Sequence, residues 1–353
     1  MIIKKMKNFK YILTILIILF QTGNVLSTES IFTVNNIQVN KNTYKNKEEL
    51  INIAFRKGFE KLNSKILLEK DYLKVTNISL KNIKNLVSHY QIVKPEDNFD
   101  QNFETVNLYF KRDKMNNFYN QNNIKYSDVS GKILKILPIL LLKDEIFIYD
   151  NNYFYENWID ELKEKKRQNI EYIFPVENLE TIEAIKKNQD NLELTSLDDI
   201  FDKDIEKDNL LIIIDYDKQK TKFFLKGIIS SKKITKNLSL TGNSLKNFEY
   251  ENILKYLKRE ILELVKSQNV IDVGTPSFIN VSLIFKNKND LFLFQNILNE
   301  IDLIENFNVK EYNNKFAYIN IKYYGKINKI KEKLVKKGLD IKFVNNQWSA
   351  RLK

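Results

Sequence analysis

"NLLIIIDYD" occupies residues 209–217. Its five successive apolar residues, Leu210 to Ile214, leave no polar side to face water, which is the pattern of a strand buried on both faces. Two carboxylates, Asp215 and Asp217, close the run. Such a strand needs cover on each side, and the flanking sequence supplies it. Upstream, "ILPILLL" and "IFIYD" read as strands, "YENWIDELKEKKRQ" as a helix, "IEYIFP" as a strand and "VENLETIEAIKK" as a helix opened near Pro175. Downstream, "TKFFLKGIIS" and "KITKNLSLTG" read as a hairpin. "YENILKYLKREILELVKS" then places Ile253, Tyr256, Leu257, Ile261, Leu264 and Val265 on one face of a closing helix. Residues 129–270 thus predict a middle domain, a mixed sheet with helical cover.

Gly274 and Pro276 punctuate "QNVIDVGTPS" and open a second unit, residues 277–353. "FINVSLIF" is a strand, and "NDLFLFQNILNEID" is a helix with Leu291, Phe294, Ile297, Leu298 and Ile301 inward. "FNVKEYNNKFAYINIKY" is a hairpin whose "NN" turn suits positive φ. "KINKIKEKLVKKG" is a helix with Gly338 as its left-handed cap, and "LDIKFV" and "QWSARL" finish as strands. This β-α-β-β-α-β order is ferredoxin-like. In the other direction, residues 28–128 begin with the strand-like "IFTVNNIQVN". A helix follows in which Ile51, Ala54, Phe55, Gly58, Phe59, Leu62 and Ile66 share a face. A short helix, two strand-like runs and a helix with Asp113 as candidate N-cap complete it. The fold class expected is α+β, in three small modules.

Residues 11–20, "YILTILIILF", follow Lys4, Lys5, Lys7 and Lys10 with no acid among them. Ten helical residues cover about 15 Å, half of a bilayer's hydrocarbon core. Polar residues follow at once, and Val25 and Ser27 suit a cleavage site. Residues 1–27 therefore read as a signal peptide, with an uncleaved inner-membrane anchor as the alternative. The chain has no cysteine, so it carries neither disulfides nor a lipoprotein thiol, and it must be stabilised by core burial. Its 353 residues and 43% hydrophobic content permit that. The net charge of +12 is spread over dispersed lysines among Asp and Glu, in a chain crowded with Lys, Asn and Ile. A nucleic-acid footprint would be a clustered stripe.

Catalytic residue types are scarce. Without cysteine there is no thiol nucleophile or thiolate metal site, and the single histidine, His89, excludes any site needing two imidazoles. Asp215 and Asp217, at i and i+2 on a strand end, could hold a metal ion or act as acid and base. The alternative is that acids mark where a buried strand meets water. "LDDIFDKDIEKD" beside them lacks the glycine and glutamate of a calcium loop. Ser230 and Lys233 satisfy S-x-x-K on a stretch that reads as strand, without companion motifs. No phosphate-cradling glycine motif occurs, and no cofactor is expected. Tyr153, Phe154, Tyr155 and Trp158 form an aromatic cluster, read either as an interaction surface or as a core plug where a helix docks.

"LPILLLKDEIFIYDNNYFYENW" followed by "IEYIFPVENLETIEAI" resembles a family of exported proteobacterial proteins known as domain of unknown function 2066. Pro138, Trp158 and Pro175 carry the likeness, and "ETVNLYFKRDKMNNFYNQNNIKYSDV" and "FINVSLIF…QWSARL" extend it over most of the chain past the signal segment. The middle segment is also similar in element order to the N-terminal domain of the periplasmic TolB protein. The resemblance implies residence in the envelope and no established activity. The reading is a periplasmic, non-enzymatic binding or assembly module whose partner is an envelope protein or polymer. A metal-assisted hydrolase using Asp215 and Asp217, and a cationic cell-wall or membrane-surface binder, are the competing readings.

Overall fold

The computed structural model describes residues 30–93, 102–129, 131–143, 145–158, 170–201, 208–241, 250–287, 289–344 and 347–353. The signal segment, residues 1–27, lies outside the described residues, as do most of the helix read in "YENWIDELKEKKRQ" and Asp202 and Asp204 of the acidic stretch. Helices and strands are both abundant and are segregated into several sheets, an α+β architecture. Among the described residues no helix is long and apolar enough to cross a membrane.

The first sheet is antiparallel, with β3 (Phe103–Phe110) between β1 (Thr33–Asn40) and β2 (Val87–Val93). Helix α1 (Lys47–Ile66) lies on one face. Asn46 caps it by accepting from the Glu49 N–H, and Ala54, Phe55, Phe59, Leu62 and Ile66 are buried as their spacing demands. Two short helices, α2 (Glu69–Tyr72) and α3 (Leu80–Leu86), lead to β2, and α4 (Arg112–Gln121) follows β3. Asp113 lies in the first turn of α4; the N-cap position is Lys111.

The middle sheet runs β10-β9-β8-β5-β6. Here β8 (Asp208–Asp215) and β5 (Lys132–Leu142) are parallel, while β9 (Lys220–Ile229) and β10 (Lys232–Thr241) continue antiparallel. The short β6 (Glu145–Phe147) and β7 (Ile170–Ile173) both join the far side of β5. Leu210 to Ile214 are buried on alternating faces: Leu210, Ile212 and Ile214 belong to one apolar cluster, and Leu211 and Ile213 to another. The first cluster lies beneath α7 (Tyr250–Gln268), with Phe154 and Trp158 of and beside α5 (Tyr153–Asn157). The second is roofed by α6 (Leu179–Lys187), Leu192, Ile200 and Phe201. Two-faced burial is what the apolar run predicts.

In the last segment, β12 (Ser277–Ile284), α8 (Asp290–Asn299), β13 (Ile304–Tyr312), β14 (Phe316–Tyr323), α9 (Ile327–Lys336) and β15 (Leu339–Val344) give the expected β-α-β-β-α-β order. A further strand, β16 (Gln347–Leu352), folds back from β15 and inserts between it and β12, so the sheet order is β13-β14-β12-β16-β15. β16 is parallel to β12, and β15 is displaced to the edge. Gly338 takes φ +86 as the helix-ending residue. The turn at Asn313 needs no positive φ; its side chain accepts from the N–H groups of Lys315 and Phe316 at 2.8 and 3.1 Å.

The three segments meet at one joint. A two-residue strand, β4 (Tyr126–Ser127), pairs with β11 (Val270–Ile271), and Lys125 bridges to Asp272 at 2.7 Å. Lys266, only 3% exposed, leaves the end of α7 to donate to Ser64 O, Leu67 O and Glu263 Oε1 at 2.7–2.8 Å. Asp128, equally enclosed, faces Lys333 at 3.0 Å and Lys329 at 3.8 Å on α9. The buried apolar residues of the first and last segments form a single continuous cluster.

Candidate functional site

Asp215 and Asp217 have different surroundings. Asp217 sits beyond the end of β8, where its carboxylate accepts from the N–H groups of Gln219 and Lys220 at 2.7 and 3.2 Å and so shapes the turn into β9. Those bonds use one carboxylate oxygen in local capping, a frequent role of aspartate in turns. Asp215 is half-exposed and lies 3.7 Å from Lys222 on the paired strand. Among the described residues no group of three acids or histidines is placed to hold a metal ion. Asp215 does line the wall of a groove of ≈ 600 Å³ between the β9–β10 hairpin and residues 189–193. Phe224, Ile213 and Leu192 contribute apolar lining, and Lys220, Lys222, Asp190 and Glu193 contribute charges of both signs. Lys226 holds the far wall by donating to Glu193 O and Thr195 O.

Ser230 and Lys233 are likewise separated in role. Ser230 and Ser231, at φ +51 and +64, make the two-residue β9–β10 turn, a geometry that follows the twist of a hairpin. Lys233 is an exposed strand residue, whereas Ser230 Oγ donates to Asn269 and accepts from Lys132 at 3.1 Å. That lysine is also held by Asp208 at 3.0 Å. An ammonium engaged by a carboxylate has no free pair with which to activate a serine. The contact ties the hairpin to the start of β5.

The aromatic cluster is a core plug. Phe154 and Trp158 are 0% exposed, and only Tyr153 and Tyr155 are half-buried. Asn152 builds the corner: its amide donates to the carbonyls of Pro138, Phe147 and Ile148, and its oxygen accepts from Phe154 and Tyr155 N–H. Trp158 then packs edge-on to Tyr172 and Phe174. This arrangement rules out the four residues as a continuous exposed grip.

The surface that remains is the outer edge of β2, "VSHYQIV". Natural sheets protect their edges with charge, proline, bulges or a cover, because unpaired N–H and C=O groups recruit other strands. Among the described residues the other long outer strands carry such protection. β10 presents Lys232, Lys233 and Lys236; β13 has two register shifts and Glu305, Lys310 and Glu311; β15 has Asp340 and Lys342. β1 is bulged at Asn36, φ +56, and Lys57 and Lys61 of α1 donate to Gln38 O and Asn35 O. β2 has one register shift, at its start between Val87 and His89, but no charged residue and no proline, and five of its seven residues are exposed. Tyr90 and Ile92, each 36% exposed, lie on the α1 side, Tyr90 against Phe55. His89 stacks on Tyr109 at 4.2 Å on the opposite face, with its Nδ1 3.3 Å from the hydroxyl of the neighbouring Ser88, both exposed at the surface. The sequence marks "YQIVKP" as strand-like but not as an open sheet edge, whose signal is an absence of charge in a chain in which 29% of residues are charged.

No family model matches the chain, and no curated protein or solved structure does either.

Proposed function

We propose that the chain is an exported, periplasmic binding or assembly module of the cell envelope, without catalytic activity, that takes an extended segment of another envelope protein onto β2. The exposed, uncharged edge of β2 carries this reading. An added strand would extend a three-stranded sheet to four through main-chain hydrogen bonds, and alternate apolar side chains would cover Tyr90 and Ile92. The basic, acid-free N-terminus followed by "YILTILIILF" supports the compartment.

A photo-crosslinking amino acid at Gln91 tests the proposal in cells fractionated to recover periplasm. The expected result is a discrete adduct in that fraction, lost when Ile92→Lys is added, while the purified variant keeps its unfolding free energy within about 0.5 kcal/mol. An adduct of equal yield in the Ile92→Lys protein, or none from β2, would sink it.

A further inference from the structure

Among the described residues the sheet of the last segment has helices on one face only. Ile279, Val281 and Leu283 of β12 and Ala317, Ile319 and Ile321 of β14 are buried in the cluster that includes Phe294, Leu298, Ile330 and Leu334 of α8 and α9. By alternation the residues between them stand on the opposite face. Register sets these in cross-strand rows: Phe278 beside Lys322, Asn280 beside Asn320, Ser282 beside Tyr318, and Ile284 beside Phe316. Ser349 of β16 continues the serine row and Asn308 of β13 the asparagine row. No register shift interrupts the eight pairs of β12 with β14, so the platform is continuous over about 26 Å.

Its chemistry is specific in three ways. The middle is amide and hydroxyl: Asn320 Nδ2 donates to Asn280 Oδ1 at 2.8 Å, which orients the pair and leaves Asn280 Nδ2 and Asn320 Oδ1 directed elsewhere. The ends are apolar. Phe278 is 62% exposed at one, and Ile284 is 48% exposed at the other beside the Phe316–Tyr318 ring pair, 4.9 Å between centroids. Three of its cations are paired in place: Lys322 with Glu305 at 2.8 Å, and Arg351 and Lys342 with Asp340 at 2.8 and 3.4 Å. In a chain of net charge +12 these pairs, set around rows of amides and hydroxyls, reduce what the centre of the face offers anionic lipid or nucleic acid. An extended peptide on a sheet face would also leave its main chain unpaired.

We infer that this face binds an uncharged, N-acetylated glycan chain. The apolar faces of its sugar rings would rest on Phe278 at one end and on Phe316 and Tyr318 at the other. Its acetamido and hydroxyl groups would meet the asparagine and serine rows. The two apolar ends lie about 20 Å apart along β12, which suits an oligomer rather than a single sugar. This surface is separate from β2, so the inference stands or falls independently of strand addition there.

The test is isothermal titration of the purified protein with the β-1,4-linked hexamer of N-acetylglucosamine, with cellohexaose as the analogue lacking acetamido groups. Binding should be saturable and nearly independent of salt, and weaker for cellohexaose. It should fall about tenfold or more in Phe278→Ala and in Asn320→Ala. Both positions lie outside the buried core, so unchanged thermal unfolding separates lost binding from lost fold. The inference is overturned if the hexamer does not bind, if both variants bind it as well as the wild type, or if cellohexaose binds equally. Affinity that collapses with added salt would assign the face to ionic contacts instead and overturn it as well.

Discussion

Asp272 and Lys125 are both partly exposed, yet their pairing leaves a mark on titration. The hydrogen bond from Lys125 holds the Asp272 carboxyl below the usual carboxylate range, against a smaller opposing effect of burial. A group whose folded pKa is depressed adds stability that is present above its unfolded pKa and lost as pH falls through the folded value. The Asp272→Asn substitution keeps an acceptor for the Gly274 N–H, bonded at 2.9 Å, and removes the charge together with the oxygen that accepts from Lys125. At neutral pH the variant should unfold at a slightly lower urea midpoint than the wild type. The gap should close on acidification below about pH 4, where the wild-type carboxyl becomes protonated too. A constant gap down to strongly acidic pH would show that charge at this position contributes nothing.

At the scale of elements, close approach of backbones sets the tightest constraints. Gly227 of β9 lies opposite Leu210 on β8, and an added Cβ would stand 2.1 Å from Asn209 O, a backbone atom of the central ladder. Gly58 on α1 would place its Cβ 2.6 and 2.7 Å from the side-chain tips of Leu108 and Ile37, which can move. Gly227→Ala should therefore cost about 3 kcal/mol or more, and clearly more than Gly58→Ala, where helix propensity returns part of the loss. Urea denaturation of the two variants compares them directly. Much at this scale was legible in the sequence. The Leu210–Ile214 run announced a two-faced strand, and the periodicity of α1 and α7 named most of the residues that pack. What stayed hidden depends on which strands become neighbours. "LDIKFV" and "QWSARL" read as closing strands, but nothing in either run says that the second takes the inner place beside Val281. The vulnerability of β2 likewise requires knowing that it ends a sheet. The aromatic residues around Trp158 are of a type that serves core or surface equally, so only the corner built by Asn152 decides between them.

For the molecule as a whole, Lys266 matters more than its residue type suggests. In a chain rich in lysine it reads as part of a solvated helix face; it is enclosed because the end of α1 brings two carbonyls to it. Lys266→Met preserves volume but leaves Ser64 O, Leu67 O and Glu263 without their shared donor. A loss of about 2–4 kcal/mol is expected, read from the shift in unfolding midpoint at unchanged slope. Because the first and last segments share a continuous core, amide exchange at Leu108 in β3 and Ile319 in β14 should lose protection together in this variant. Loss confined to one of the two strands would mean that the segments open separately.

The inner position of β16 also has a consequence for the order of assembly. β15 touches the sheet only through β16, so although synthesised earlier it has nothing to join until the strand that follows it has found β12. That closure links residues as distant as Val281 and Trp348, a long loop to close before any reward arrives. Until then α9 lacks the sheet positions of Leu339 and Ile341 and can only partly cover its apolar side. The final hairpin is thus the slow, committing event of this segment, and a nascent chain paused short of it would hold an apolar cleft between β12 and α9.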